Sequence, residues 1–439
     1  MSSHPLATLV AGPVLTPDDD GFADEVAPHN RAVVNSPDVV VGATSTQDVV
    51  AAVRWAADQG VHLTVLATGH GATVPVTAGV LLTTRRLGGV DVDPDARVAT
   101  VGAGALWTDV VPVADAHGLT PVAGSSTHVG VVGYLLGGGL GPLARSHGYS
   151  SDYLESLTVV TGTGEVVEAS ADEHPDLFWA LRGGKVGLGV VTQVRLRLVA
   201  IPELYAGSLF FDAEHIETAL RGWLAWTATA DAETTTSAAI IRFPDLDAVP
   251  PFLRGRTALT LRVARPGDET AGEAAAAPLR ALAPTFLDTV GVLPVARSAE
   301  IHNDPTQPGP SWVRGTMLSH TDDDLATAWL GAVGPGAGQP FVAVELRHVA
   351  GATGADVPGG SAVAGRGAAF VTGLVGVDPT QFGTTMPAAA DAVAEALAPW
   401  TAAELNPNFA GRGTAAWAPV TAERLTEVRR TYDPAGVLA

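Results

Sequence analysis

His70 stands between two glycines in Ala67-Thr68-Gly69-His70-Gly71, directly after the apolar-rich residues 61–66. Its imidazole can act as a nucleophile, and the flanking glycines remove the Cβ atoms that would hold a large ligand away. Fifty-five residues on, the stretch from Ser125 to Gly141 contains six glycines and no charged residue. Such backbone can turn N–H groups toward an anion without any basic side chain. Two segments of this kind, one carrying an imidazole, predict a chain that wraps a bulky anionic molecule.

A second set of reactive groups lies far downstream. Val344-Glu345-Leu346-Arg347-His348 alternates as a strand does. Alternation puts Glu345, Arg347 and Val349 on one face and Val344, Leu346 and His348 on the other. A carboxylate in an apolar cleft has its pKa raised toward neutrality, which makes Glu345 the candidate general base. Arg347 or Arg366 is then the cation that orients an oxyanion. The competing assignment for Glu345 is a solvated strand edge. His128 lines the ligand or merely sits in a loop. Trp179 reads as core, Arg182 as a brace for the loop ending at Gly184, and residues 322–324 as a solvated helix start suited to the dipole. The twelve histidines show no H-x-x-x-H or comparable spacing, so no metal site is predicted.

Composition narrows the function further. The chain has 439 residues, enough for two or three domains, with 46% hydrophobic and only 16% charged residues. With 25 Lys+Arg against 46 Asp+Glu, the net charge is -21. That balance disfavours nucleic acid and anionic membranes, which need clustered cations. Cysteine is absent, which removes disulfides, thiolate catalysis and cysteine-held metal clusters. No basic leader precedes the first apolar residues, and no long apolar run suits a membrane span. A cytoplasmic protein is the expectation.

The elements that would position these groups follow from pattern. Residues 1–35 read as an irregular arm. Residues 39–41 are a strand; Ser45 starts a helix, with Asp48 three residues later in the manner of a capping box. Gly60 stops that helix, and a strand over 61–66 runs into the His70 loop, where ligands of β-α-β units collect. Further strands are predicted near 80–84, 90–92 and 97–101, a helix near 106–117, and a hairpin around residues 161–164. A short helix over 176–181 precedes a strand over 189–198. After Pro202 strands are expected at 205–211, 238–243, 257–264 and 341–348. Helices are expected near 214–228, 268–283 and 322–332. Residues 350–369 read as a glycine-rich loop, and helices follow near 388–398 and 422–431.

Taken in order, these segments resemble the vanillyl-alcohol oxidase/p-cresol methylhydroxylase superfamily of flavoproteins, in its berberine-bridge-enzyme-like branch. The matching pieces are Gly69-His70, the run from Val101 to Trp107, Gly124 to Gly130, Gly137 to Gly141, Asp176 to Gly184, Gly187 to Thr192, and the tail Asn408-Phe409 with Tyr432-Asp433-Pro434. The set covers roughly residues 35–200 and 400–436. The resemblance implies an α+β fold of two domains. Residues 1–200 with 396–439 would bind FAD, and residues 201–395 would form a substrate domain with an antiparallel sheet.

The resemblance also implies site residues. FAD would lie against Leu66, Ala67, Thr68, Gly69, His70, Gly71 and Ala72. It would also touch Gly124, Ser125, Ser126, His128, Val129 and Gly130, then Val132, Gly133, Tyr134 and Gly137. Gly189, Val190, Val191 and Asn408 would complete the contacts. The family joins the flavin 8α-methyl to a histidine, here His70. Many relatives add a cysteinyl bond at the position of Ser126, which this chain cannot form. Ala67 stands where an arginine is common, and Asn406 and Phe409 where tyrosines are common. Val132 occupies a position usually held by glycine, which crowds the flavin face that oxygen would approach. The implied activity is FAD-dependent oxidation of an alcohol, amine or activated C–H in a small molecule, with oxygen or another acceptor, in natural-product tailoring. Two alternatives stay open: a cyclase on the same scaffold, and a flavin-less binding module.

Overall fold

The computed structural model describes residues 4–247 and 249–438. Residues 1–3 of the expected arm and Ala439 lie outside them. Val39–Gly42 is a fully buried strand, and Ser45 caps the following helix, Thr46–Gln59, by accepting the Asp48 N–H at 3.2 Å. Asp48 does not complete a reciprocal box. Its carboxylate accepts the N–H groups of Ala11, Gly12 and Thr44, so it ties the N-terminal arm to the helix start. That arm also holds a short helix, Phe22–Val26.

Leu63–Leu66 follows as expected, but it does not lie beside Val39–Gly42. Val80–Thr83 inserts between the two and pairs in parallel with both. Every residue of Val80–Thr83 is buried, as a central parallel strand requires. A second sheet runs Val90–Asp93, Val98–Gly102, Val190–Arg197, Leu154–Val160, Val166–Ser170, with all neighbours antiparallel. The predicted hairpin around residues 161–164 is its last pair. Both sheets share one core with helix Pro175–Leu181 and the C-terminal helix Pro419–Tyr432, through Leu177, Trp179, Leu425 and Val428. The Leu63 N–H donates to the Val437 carbonyl at 2.8 Å, so the chain's last residues return to the first sheet.

Residues 203–376 build a third, larger antiparallel sheet. Its main path is Leu287–Asp288, Glu203–Asp212, Thr257–Pro266, Thr235–Arg242, Ala343–His348, Phe370–Gly376, Trp312–Leu318, and Gly291–Pro294 also pairs with Glu203–Asp212. Helices Ile216–Thr227, Glu269–Arg280, Asp323–Val333 and Thr385–Ala396 cover one face, burying Trp223, Leu261, Trp329 and Leu346. The other face turns toward residues 140–149, where Leu140, Ala144 and Tyr149 pack on Val349 and Val371. Arg145 locks this contact by donating to the Thr234 carbonyl at 2.8 Å and the Asp231 carbonyl at 2.9 Å.

Two strands of this sheet, Trp312–Leu318 and Phe370–Gly376, carry no clear alternation because glycines interrupt them. Gly315 is required there: a Cβ would stand 2.4 Å from the Phe409 carbonyl oxygen. The extended run before residue 343 also falls short of the expected start, and the strand itself is Ala343–His348.

Candidate functional site

The loop from Leu66 to Ala72 leaves the carboxyl end of Leu63–Leu66 and turns at Gly69, whose φ is 72°. A Cβ there would meet the Pro28 Cβ at 2.4 Å. The N-terminal arm braces this loop from outside. The His29 N–H donates to the Thr68 carbonyl at 2.7 Å, and the Asn30 side chain donates to the Ala72 carbonyl at 2.9 Å. The second glycine segment lies alongside. A Cβ on Gly130 would be 3.4 Å from Thr68 Cγ2 and 3.7 Å from the Ala67 Cβ. The fold therefore brings together the two segments that the sequence singled out.

His70 sits where they meet. Its Nδ1 lies 2.9 Å from Thr68 Oγ1, while its Nε2 is buried without a hydrogen-bond partner. The ring stacks on His29 with centroids 3.6 Å apart and planes 16° apart. Burial, with His29 and His128 nearby, pushes its pKa down to about 4. The imidazole is thus neutral at physiological pH, the state in which a nitrogen lone pair is available.

Other parts of the glycine segment serve packing rather than close approach to a ligand. The Gly137 and Gly138 N–H groups are spent on the carbonyls of Tyr134 and Leu135, at the end of helix Val131–Leu135. A Cβ on Gly137 would collide with Asn408 Oδ1 at 2.1 Å, one on Gly139 with the Tyr134 ring at 2.4 Å, and one on Gly141 with the Ala123 carbonyl at 2.0 Å. Gly124 likewise abuts the Tyr134 ring, and Gly189 abuts the Val159 side chain. The expected offer of amides to a ligand is thereby narrowed at Gly137 and Gly138, whose N–H groups are already bonded. By contrast, a Cβ on Gly71 or Gly133 would meet no heavy atom within 4 Å.

The remaining expected contacts have mixed surroundings. Ser126 and His128 are partly buried in the loop, with Thr127 Oγ1 and His128 Nδ1 3.3 Å apart. Ser125 donates to Asp304 at 3.0 Å. The Val129 carbonyl accepts from Trp107, Val132 is buried, and Tyr134 is held neutral, its pKa pushed up to about 12 by burial. Val190 and Val191 are buried in the second sheet opposite Val160 and Val159.

Asn408 is engaged by protein on both sides of its amide. It donates to the Tyr134 carbonyl at 2.8 Å and accepts from Lys185 Nζ at 2.7 Å. Lys185 also donates to the Gly133 carbonyl at 2.6 Å, and burial lowers its pKa to about 8. Lys185 is the chain's single lysine, a signal that could have marked it. Trp179 is core, with the Arg424 guanidinium 3.9 Å above its ring. Arg182 braces its loop by donating to the Gly360 carbonyl at 2.6 Å.

Glu345 and Arg347 do share a face of the large sheet, but the surroundings are not an apolar cleft. Arg262 donates to Glu345 at 3.0 Å, Arg347 donates to it at 2.9 Å, and His302 Nε2 lies 3.5 Å away. Cross-strand register explains the cluster. Ser237 stands opposite both Arg262 and Arg347, and Ala239 opposite Glu345, so small residues on the middle strand let the long side chains meet. Burial opposes ionisation of Glu345, yet Arg347, His302 and Arg262 hold its carboxyl well below the usual range. The predicted upward shift is therefore reversed. Neither is Glu345 a solvated edge, since Ala343–His348 is flanked on both sides. Beside it lies Gly373, where a Cβ would meet nothing within 4 Å.

Arg366 does not join this cluster. It pairs with Asp152 and with Asp356 at 3.2 Å, and donates to the Ala355 carbonyl at 2.7 Å. It fastens the loop after Ala343–His348 to the first part of the chain. The assignment of Arg366 as a partner for Glu345 chemistry is corrected on that ground.

With this geometry in place, similarity to known proteins is decisive for the cofactor. Residues 37–170 match the family described as FAD binding domain. These residues are an FAD-binding domain. Over 204 residues the chain is 35% identical to (R)-6-hydroxynicotine oxidase of Paenarthrobacter nicotinovorans, a stretch covering 46% of this chain and 44% of that protein. The chain thus matches less than half the length of that relative. The structure of 6-hydroxy-D-nicotine oxidase from Arthrobacter nicotinovorans superposes with a TM-score of 0.83 at 23% identity, covering 100% of this chain and 98% of that one. The BBE-like 1 protein of Physcomitrella patens superposes with a TM-score of 0.85 at 19% identity, covering 99% and 96%. The resemblance read in the sequence holds for the FAD-binding domain and for the fold. Among the described residues no helix is long and apolar enough to cross a membrane.

The FAD-binding domain also fits its cofactor in chemistry. An uncharged loop, two glycines with open space before them, and a neutral buried imidazole with an orphaned nitrogen suit a large anionic group.

Proposed function

We propose that this chain is an FAD-dependent oxidoreductase in which His70 carries the cofactor through one covalent bond. The observation that carries the proposal is the unpartnered, buried Nε2 of a neutral His70 at the junction of two glycine segments. Thr68 fixes the ring through Nδ1, which leaves Nε2 as the reactive nitrogen. A second, cysteinyl bond has no residue to form it, because Ser126 stands at that place and the chain has no cysteine.

FAD, when bound, supplies a two-electron acceptor for hydride. The protein's part is to seat and orient the substrate. Glu345, ionised and fixed by two guanidinium groups, accepts a hydrogen bond from an alcohol or amine donor; Arg347 orients a neighbouring oxygen. The open space before Gly373 leaves room for a small molecule beside them. The proposed reaction is oxidation of an alcohol, amine or activated C–H of a small molecule, with oxygen or another acceptor and a role in natural-product tailoring. The similarity to a hydroxynicotine oxidase supports this class.

Acid precipitation followed by intact-mass measurement tests the linkage. The wild-type chain should retain the mass of one FAD, and His70→Ala should lose all of it while still binding FAD reversibly. A wild-type chain of bare polypeptide mass would remove the covalent bond, and a colourless native preparation would remove the cofactor. Anaerobic addition of substrate should bleach the flavin colour; turnover with unchanged colour would place the chemistry outside redox.

A further inference from the structure

The charged cluster at Glu345 borders a floor of a different character. Ala343 precedes Glu345 by two residues and shares its face of the sheet. Register sets Ile241 and Val375 opposite Ala343 on either side, and Val313 opposite Val375, so four apolar side chains form one row across four strands. All four are half-buried, as is Gly373 beside Glu345, whereas Ser237 and Val371, the residues opposite Arg347, are buried. None of the four side chains can form a hydrogen bond. Phe409 adds a half-buried aromatic ring, its centroid 5.8 Å from the Arg347 guanidinium carbon. A small molecule on this floor would meet alkyl and aromatic surface, and the space before Gly373 admits it.

Of the cluster's groups, the carboxylate presents the most surface. The Glu345 side chain is 22% exposed, against 10% for Arg262, 9% for Arg347 and 8% for His302. What meets a ligand is therefore an acceptor, which asks for a donor. An ammonium and a hydroxyl both donate, and charge decides between them. Arg262 at 3.0 Å and Arg347 at 2.9 Å already match the carboxylate, and His302, its pKa lowered by burial, adds no charge at neutral pH. Asp304 also acts on Arg347, but it is exposed and takes the Ser125 hydroxyl. An arriving cation would meet one negative charge with two positive ones at contact with it, so its lost hydration goes uncompensated. An arriving carboxylate would meet the like charge of Glu345. A neutral hydroxyl avoids both costs. A body carrying many hydroxyls would leave most of them unpaired against the apolar row.

We propose that this face of the sheet selects neutral apolar alcohols, with the hydroxyl donating to Glu345 and the body lying on Ile241, Ala343, Val375 and Val313. Protonated amines, carboxylates and polyhydroxylated molecules are turned away. Resting on the role of Glu345 proposed above, this selection narrows the substrate class from alcohols and amines alike to alcohols.

Calorimetric titration of the purified protein at neutral pH with cumyl alcohol, cumylamine and benzoate tests this. The alcohol and the amine share one shape, the amine is protonated, and neither has hydrogen on the carbon bearing its polar group, so neither is oxidised there. The alcohol should bind at least about tenfold more tightly than either charged probe. Equal or tighter binding of cumylamine or benzoate, or no binding of the alcohol, overturns the proposal. Gly373→Val, a substitution into open space, should weaken the alcohol about tenfold. An unchanged affinity would put the alcohol elsewhere and overturn the proposal too. Arg262→Met removes one of the two guanidiniums and should bring the amine to within about threefold of the alcohol; an unchanged preference also counts against the proposal. The titration reads preference whether or not the preparation is yellow. Absence of flavin, which would remove the oxidoreductase function, is thus scored apart from absence of preference.

Discussion

The two halves of the site are built by opposite means. Around His70 the protein has withdrawn side chains: open glycines and a neutral ring, with Arg85 and Lys185 touching only backbone carbonyls, those of Ala67 and Gly133. Around Glu345 it has crowded them, with two guanidiniums, a carboxylate and an imidazole packed between a sheet and a glycine turn. The first arrangement leaves room for a large ligand and recognises it by backbone. The second leaves room for very little and fixes charge in place. Where space is the product, local sequence is enough to specify it; where charge is the product, several strands must agree on register.

That contrast can be broken most sharply at Glu345. Replacing it with Ala leaves Arg262 and Arg347 facing each other in a buried position, and should cost about 3 kcal/mol of folding stability. Urea unfolding of the variant measures this. A loss under 1 kcal/mol would mean the cluster is solvated and the contrast is false. A smaller effect separates the glycines themselves. Gly137→Ala drives a methyl into the Asn408 side chain and should cost about 1–2 kcal/mol. Gly133→Ala places its methyl in open space inside a helix and should be neutral or slightly stabilising to the apo chain. Equal costs at the two positions would erase the distinction between packing glycines and open ones.

A pH-dependent effect belongs to Lys185, which links the two styles. It is a buried charge with no carboxylate partner among the described residues, held by the Gly133 carbonyl and Asn408. Its pKa falls from the ordinary 10.5 to about 8. Between those values the unfolded chain holds a proton that the folded chain has released, so stability rises with pH across that window. Subtracting the stability profile of Lys185→Met from that of the wild type should expose this rise. A flat difference from pH 8 to 10.5 would show that Lys185 is hydrated.

The withdrawn half was legible in the chain. Gly69-His70-Gly71 announces itself, and the preceding β-α-β pattern says where a strand end will deliver it. Even there the likeness of one glycine to another misled. Gly130 and Gly137 look alike in sequence, yet one borders the His70 loop and the other accommodates Asn408, 271 positions later. The crowded half was only partly legible. Alternation placed Glu345 and Arg347 on one face. It could not reveal Arg262 or His302, because only strand order brings Thr257–Pro266 within reach across Thr235–Arg242. Without those partners, the direction of the Glu345 shift came out reversed. His29 and Asn30 were invisible for a similar reason: an arm without periodicity gives no hint of the loop it will brace.

The bond between Leu63 and Val437 has a consequence for the His70 loop. The strand that delivers His70 is the outermost of its sheet, and its free side is bridged at Leu63 by Val437 and Leu438. Loosening that bridge would leave an unpaired β edge directly before the loop. The firmness of the His70 loop is thus tied to a segment at the opposite end of the folded sequence.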